Sequence, residues 1–286
     1  MESLLTVVVP IHNMYKKLNR LNDWISTIGG TEVEVILVDD FSSEESSREI
    51  RDLVDFHSSL NIKFVSGQYK SPGKARNAGL LKATGLWVIF ADSDDILYLN
   101  PILNQLANSV PKVIEVFQFR ELDFNSIKIL KPLSKTSSDT DLVLNLGIWR
   151  MAFPARFLVN KKFTEIRMGE DLLYFLDVFE DNPEINFNAI HSYDYLIGSG
   201  NQLTADINAL HDLTRLLDAL SLKIDINKNT STLAKLMYFK NTLSVAKHLG
   251  LTKSNKFVFK SAIFFLRSTP RDKKKFIEIV MKSLKS

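Results

Sequence analysis

The chain has 286 residues, 45% hydrophobic, 10% aromatic and 24% charged, which is the make-up of a folded globular protein and excludes a disordered or fibrous one. It has no cysteine, so disulfides, thiolate metal sites and cysteine nucleophiles are excluded, as fits a reducing cytosol. The net charge of +3 hides an uneven spread: from residue 223 onward fifteen Lys and Arg face three acids, so the rest of the chain is net acidic.

The opening residues, MESLLTVVVPIHN, lack the basic region and small-residue cleavage site of a secretory signal, and Val7, Val8 and Val9 read as a buried strand. No stretch reaches the roughly 18 to 20 apolar residues that a bilayer crossing needs. Strand-like runs at 4–9, 33–38, 62–65 and 86–91 alternate with a helical pattern through Trp24 and Ile28 and with helices at 48–56 and 73–83. Val-, Ile- and Leu-rich strands separated by helices predict an α/β fold with a parallel sheet covered on both faces. Ligands of such sheets gather at the carboxyl ends of the strands. Those ends carry His12 and Asn13, then Asp39 and Asp40, then Asp92-Ser93-Asp94-Asp95. Between them the segment SPGKARNAG, 71–79, feeds a helix with Lys74 and Arg76 in its first turns and brings positive charge to the same edge.

Beyond residue 100 come strand-like runs at 113–119 and 127–130, a polar Ser/Thr-rich loop at 131–140 and an apolar, aromatic block at 142–157. Met168-Gly169-Glu170-Asp171 then opens a helix carrying Leu172, Leu173, Phe175, Leu176 and Phe179, and from about residue 206 the pattern is helical to the end. There is no internal repeat and no low-complexity tract.

Asp92 and Asp94 alternate, so on an extended backbone their carboxylates share a face and can meet one hard cation. Mg²⁺ or Mn²⁺ takes one or two protein carboxylates and fills its shell with phosphate oxygens and water, which suits a diphosphate leaving group. A solvated acidic loop gives the same pattern. Asp39 and Asp40 read either as ligand contacts or as part of a helix cap, for which Ser42 or Ser43 is the stronger choice. Carboxylates just past a buried strand need partners in either case. Arg76 and Asn77 sit where a helix start favours an anion, or on a plain solvated face. Glu170 and Asp171 complement a helix dipole or supply a general base, Asp171 being the better candidate for the base.

The segments TVVVPIHN at 6–13, VILVDDFS at 35–42, residues 73–80 with Arg76-Asn77, and 87–95 with its acids occur in an order and spacing that resembles family 2 glycosyltransferases. Gly169-Glu170-Asp171 continues the match, which runs over residues 4–200. The resemblance implies a GT-A fold, a mostly parallel sheet flanked by helices, as a catalytic domain at 1–205 with a donor half (1–100) and an acceptor half (101–205). A basic helical region, 206–286, follows. It also implies a nucleotide diphosphate sugar donor, commonly UDP-linked, a Mn²⁺ or Mg²⁺ ion, and inversion at the anomeric carbon. The acceptor would be a hydroxyl of a growing glycan such as a surface polysaccharide or a lipid-linked oligosaccharide. By the same resemblance Pro10, His12, Asn13, Asp39 and Asp40 contact the donor, Asp40 through the nucleobase, and Lys74, Arg76 and Asn77 belong to the donor loop. Asp92, with Ser93, lies near ribose and metal, Asp94 is the direct metal ligand, and Asp171, beside Glu170, is the base. Trp149 stacks on an acceptor sugar or belongs to the core, and His191 approaches the metal and diphosphate or is structural. Phe41 departs from the pattern, standing where the family commonly has glycine.

In the basic C-terminal region lysines recur among Leu236, Met237, Phe239, Leu243, Phe257, Phe259, Ile263, Phe264 and Phe265. This suits the surface of an anionic membrane, on the inner face of the cell, or a helical bundle with solvated lysines. No nucleic-acid-binding motif is present. Two other functions fit the sheet: a sugar-phosphate nucleotidyltransferase, which would open with a glycine-rich basic loop where this chain has Pro10-Ile11-His12-Asn13, and a non-catalytic nucleotide-sugar-binding module.

Overall fold

The structure, a computed structural model, describes residues 3–131, 138–166, 168–180, 183–198, 207–226 and 232–283. The chain forms two compact units. One comprises Met1–Lys135, Gly147–Glu165 and Asp177–Asn201, and the other Thr136–Leu146, Ile166–Leu176 and Gln202–Ser286. The second unit therefore includes two segments that precede residue 205.

In the first unit β1 (Leu5–Ile11), β2 (Val33–Asp40), β3 (Asn61–Gly67) and β4 (Trp87–Phe90) pair in parallel in the order β3-β2-β1-β4. Every residue of β2, and all of β1 except Pro10, is buried, as expected of strands covered on both faces. α1 (Asn19–Ile25), α2 (Glu44–Phe56) and α3 (Pro72–Leu80) are the helices that connect them. Past β4 the sheet takes in β5 (Ile96–Leu97), β6 (Val113–Asp123), β7 (Ile129–Lys131), β8 (Met151–Pro154) and β9 (Glu184–Ile197), with α4 (Leu99–Ala107) between β5 and β6. Among the described residues its order is β3-β2-β1-β4-β8-β6-β9-β5, with β7 on β6. β8 runs antiparallel to both β4 and β6, so the sheet is parallel through its first four strands and mixed beyond them.

The helix starts follow from side-chain caps. Ser43 accepts from Ser46 N–H at 3.3 Å, and Glu44 and Glu45 occupy the first turn, so α2 begins at 44 and not at 48. Ser71 caps α3 by accepting from Lys74 N–H, with Pro72 at the first helical position. α5 (Asp139–Leu144) starts inside the stretch expected to be a polar loop, capped by Ser138, while 132–137 lie outside the described residues. α6 (Glu170–Phe179) begins on the two expected acids. α7 (Ile207–Ile226), α8 (Thr232–Leu249), α9 (Leu251–Arg267) and α10 (Pro270–Ser283) make the C-terminal part of the second unit helical.

The sheet core gathers Leu5, Val7, Val9, Val35, Leu37, Trp87 and Ile89 with Trp24 and Ile25 of α1 and Ile50 of α2. One charge sits inside it: Glu34 is fully buried, bonded by Thr6 Oγ1 at 2.6 Å, by Thr84 N–H at 2.8 Å, by Thr84 Oγ1 and by the Lys63 ammonium. Burial alone would raise its pKa, but these donors hold the carboxyl below its ordinary value.

α3 packs tightly on the sheet. A Cβ added to Gly79 would overlap Val8 Cγ1 and come within 3.1 Å of Val38 Cγ2, both inside the sheet. Gly79→Ala gains about 1 kcal/mol of helix propensity and incurs about 1–3 kcal/mol of overpacking. The expected net result is a lower urea midpoint, and an unchanged midpoint would show that α3 can move outward.

Candidate active site

At the carboxyl edge the loops after β1 and β2 are stitched together. His12 Nδ1 donates to Asp40 O at 2.8 Å, and its Nε2 accepts from Asn13 Nδ2 at 2.9 Å, a pattern that assigns the proton to Nδ1. Asn13 N–H donates to Ser42 Oγ, and Asn13 Oδ1 accepts from Ser43 N–H, both at 2.9 Å. Pro10 pairs with Val38 within the strands. Asp39, buried, accepts from Ser42 N–H at 3.2 Å and from Ser47 Oγ, so its two oxygens hold the turn into α2. Asp40 Oδ1 accepts from Tyr69 N–H at 2.6 Å and Lys70 N–H at 2.8 Å, and its Oδ2 takes no hydrogen bond from the described residues.

Phe41 has φ 56°, the left-handed region that glycine usually fills, and its side chain is 68% exposed. The turn thus keeps its shape without the glycine, at a cost on the order of 1–2 kcal/mol for a bulky residue. Asn13 and Lys70 are left-handed too, with φ 51° and 65°.

From α3, the buried Arg76 donates through Nη2 to Asp92 Oδ1 at 2.8 Å and lies over the Phe163 ring. Asn77 does something else. Its Nδ2 donates to Phe163 O at 3.0 Å and its Oδ1 accepts from Phe163 N–H at 2.8 Å, so the amide clamps a backbone segment. Lys74 reaches Glu165 at 2.6 Å. After β4, Ser93 is buried, and Asp95, buried as well, accepts from Tyr193 O–H and Leu196 N–H, each at 2.8 Å. Tyr193 Oη also accepts from Asp92 N–H at 3.1 Å.

Asp94 is half-buried and makes no ion pair with any described residue. Burial, then the charge of Asp92, pushes its pKa up from 3.8 to about 6, with Arg20 and Lys17 drawing it down in part. Burial, followed by Asp92 and Asp94, likewise raises Asp95. Arg20 itself donates to Phe124 O at 2.7 Å and lies over that ring.

Trp149 stacks on Tyr193 and Tyr195, at 4.4 and 5.3 Å between ring centroids, and meets Phe119 edge-on, which joins it to the acidic turn through Tyr193. His191 is not grouped with Asp92 and Asp94. Its Nε2 lies 2.7 Å from Asp194 Oδ1, and Asp194 also receives both arms of Arg120 and the Tyr98 hydroxyl. Burial opposes ionisation of Asp194, but His191, Arg120 and Tyr98 together hold it well below the ordinary carboxylate range. Glu170 and Asp171 belong to the second unit, Glu170 buried and Asp171 half-buried. Asp171 Oδ1 accepts from Leu172 N–H at 2.8 Å. Burial depresses the Lys240 ammonium of α8, and the Asp171 charge counters this in part.

The sequence reading placed Asp95 at the edge without a role, and missed Tyr193, Asp194 and Arg120 and the cations Lys17 and Arg20. Two signals were present: Lys16-Lys17 and Arg20 follow directly on His12-Asn13, and Tyr193 and Tyr195 alternate along a strand and so share a face.

The glycosyl transferase family 2 model matches residues 6–119, the stretch that holds Asp39, Asp40, Arg76, Asp92 and Asp94. Residues 6–119 are thus similar to glycosyl transferase family 2. It is 28% identical over 188 residues to an uncharacterized glycosyltransferase of Haemophilus influenzae, covering 62% of this chain and 72% of that one. It is 24% identical over 204 residues to a poly(ribitol-phosphate) beta-glucosyltransferase of Bacillus spizizenii, covering 68% of this chain but 32% of the relative, about a third of that protein's length. Staphylococcus aureus TarS 1-349, in complex with UDP-GlcNAc, superposes with a TM-score of 0.65 at 17% identity, over 98% of this chain and 79% of that one. The mannosyltransferase PcManGT from Pyrobaculum calidifontis, in complex with GDP-Man and Mn²⁺, gives 0.65 at 15% identity, over 99% and 88%. The fold is of the GT-A type.

The donor set fits a hard divalent cation. Asp92 and Asp94 offer oxygens in a partly dry setting, with Arg76 paired to Asp92 and the charges of Arg20 and Lys17 acting on Asp94. No three His, Asp or Glu side chains among the described residues form a group that could hold a metal ion.

Between pH 3.8 and about 6 the folded chain keeps a proton on Asp94 that the unfolded chain has released. Native stability therefore falls as pH rises through that window. In chelator, Asp94→Asn is expected to be more stable than the parent by about 1–2 kcal/mol at neutral pH, with the gap closing toward pH 4. Thermal melts at both ends check this, and an equal gap at the two pH values would show that the Asp94 charge is not desolvated.

Proposed function

We propose that the protein is an inverting glycosyltransferase that moves a hexosyl or N-acetylhexosaminyl group from a UDP-sugar to a hydroxyl of a growing glycan, a surface polysaccharide or a lipid-linked oligosaccharide. The observation that carries the reading is the pair Asp92 and Asp94 at the end of β4, with Arg76 neutralising one carboxylate and the other making no ion pair with a described residue. The family match over residues 6–119 supports it, as do relatives described as poly(ribitol-phosphate) glycosyltransferases and solved structures holding UDP-GlcNAc or GDP-Man. The choice of UDP is this proposal's own.

Asp92 and Asp94 are the residues that would hold Mn²⁺ or Mg²⁺. Bound there, the ion would screen the diphosphate and offset the charge that develops on the departing UDP. Asp40, through the Oδ2 that no described residue occupies, hydrogen-bonds the nucleobase, while Asp39 and the His12–Asn13 loop keep the surrounding turn in place. Asp171 accepts the proton of the acceptor hydroxyl as that oxygen bonds to the anomeric carbon and the bond from that carbon to the diphosphate breaks. A base so placed contributes on the order of 10²- to 10⁴-fold.

The test is paired. Asp171→Asn should lower kcat by on the order of 10²-fold or more with UDP-sugar affinity near the parent value, and Glu170→Gln should do less. Transfer kinetics and donor calorimetry on both variants decide it. A dead Glu170→Gln beside a normal Asp171→Asn would move the base by one residue. Donor binding without transfer or donor hydrolysis in the parent protein would make it a binding module.

A further inference from the structure

α9 and α10 use only part of their apolar residues to build the second unit. Phe257, Phe264, Phe276 and Ile279 are buried, and Phe276 packs edge-on against Phe239 at 4.9 Å and Phe265 at 5.9 Å. That half of the pattern is helix-bundle core. On α9, however, Phe259 and Leu266 are each 70% exposed, with exposed Ala262 between them and exposed Val258 alongside. Spacings of three and four put Phe259, Ala262 and Leu266 on one outward stripe. Lys256, Lys260 and Arg267 follow at spacings of four and seven along its flank, Lys256 pairing with Asp218 of α7 at 3.0 Å and Lys260 reaching Ser221, and α9 itself contains no acid. α10 adds Arg271 and Lys274, both exposed.

A lone exposed leucine needs no explanation, but a phenylalanine and a leucine in register beside a row of cations do. A soluble polyanion would use the cations and gain nothing from the two apolar side chains. A second copy would set α9 against α9 and bring like charges together, because a two-fold contact is self-complementary. An anionic bilayer takes both features at once, apolar tips below the headgroups and cations against lipid phosphates. No helix among the described residues is long and apolar enough to cross a membrane.

We propose that α9 lies on an anionic lipid surface, with Phe259 and Leu266 entering the headgroup layer and Arg267, with Arg271 and Lys274 of α10, meeting the lipid phosphates. The inference goes beyond the proposed transfer reaction and stands or falls separately from it.

Flotation of the full chain with phosphatidylcholine vesicles, with and without about 30% phosphatidylglycerol, tests it. The parent should float only with the anionic vesicles, and less as salt rises. Phe259→Ser with Leu266→Ser should melt like the parent and bind about tenfold more weakly. Arg267→Gln with Arg271→Gln and Lys274→Gln should lose the preference for anionic lipid. Three results would overturn the proposal: a parent that stays at the bottom of the gradient, a Phe259/Leu266 variant that floats as well as the parent, or a parent dimer by light scattering that this variant splits.

Discussion

The Asp95 carboxylate lies almost wholly out of water, and Tyr193 O–H and Leu196 N–H, each at 2.8 Å, are what make that burial tolerable. The same phenol oxygen accepts from Asp92 N–H. One side chain of β9 therefore fixes the acidic turn at two points, while three carboxylates within four residues repel one another there. Arg76 offsets the charge of Asp92 from the α3 side. Asp94 makes no ion pair with a described residue and feels Arg20 and Lys17 only as nearby charges. Without the anchor to β9 the turn would relax toward water, and Asp92 and Asp94 would lose their fixed spacing.

The neighbouring loops are built on the same principle. Asn13, Phe41 and Lys70 all adopt left-handed backbone conformations at this edge, and Asp39 and Asp40 accept hydrogen bonds from the N–H groups of Ser42, Tyr69 and Lys70 that those turns present. Charge-assisted bonds of about 1.5–3 kcal/mol are large enough to offset the strain. The two aspartates are thus first of all scaffolding. Asp40 alone retains an oxygen that a ligand could use.

Much of this was legible in the sequence. Continuous Val and Ile runs marked the four parallel strands because burial on both faces removes any need for alternation, and the acids read at their ends do stand together at the carboxyl edge. Glu34 was passed over because its donors come from Thr6, Lys63 and Thr84, none of them near it in sequence. Asn77 and His191 have the residue types of a ligand site, yet their polar atoms face Phe163 and Asp194, and only the packed chain shows which partner a side chain takes. The strands after β4 are mixed because β8 inserts between β4 and β6, a long-range choice that leaves no periodic trace. The second unit draws on 136–146 and 166–176 for a similar reason: side chains far apart in sequence share one helix cluster.

That last arrangement bears on how the protein is made. Lys275 and Lys282 of α10 pair with Asp139 and Asp141 of α5 at 2.8 and 2.7 Å, across sequence separations of 136 and 141 residues. During synthesis α5 leaves the ribosome long before its partners exist. The strands β1 to β4 are close in sequence and can form their sheet early, but α5 must wait for nearly the whole remainder of the chain. Contacts of such high order slow folding and prolong the exposure of unassembled apolar surface. The buried faces of α5 and α6 are thus the ones a chaperone would have to shield on the nascent chain.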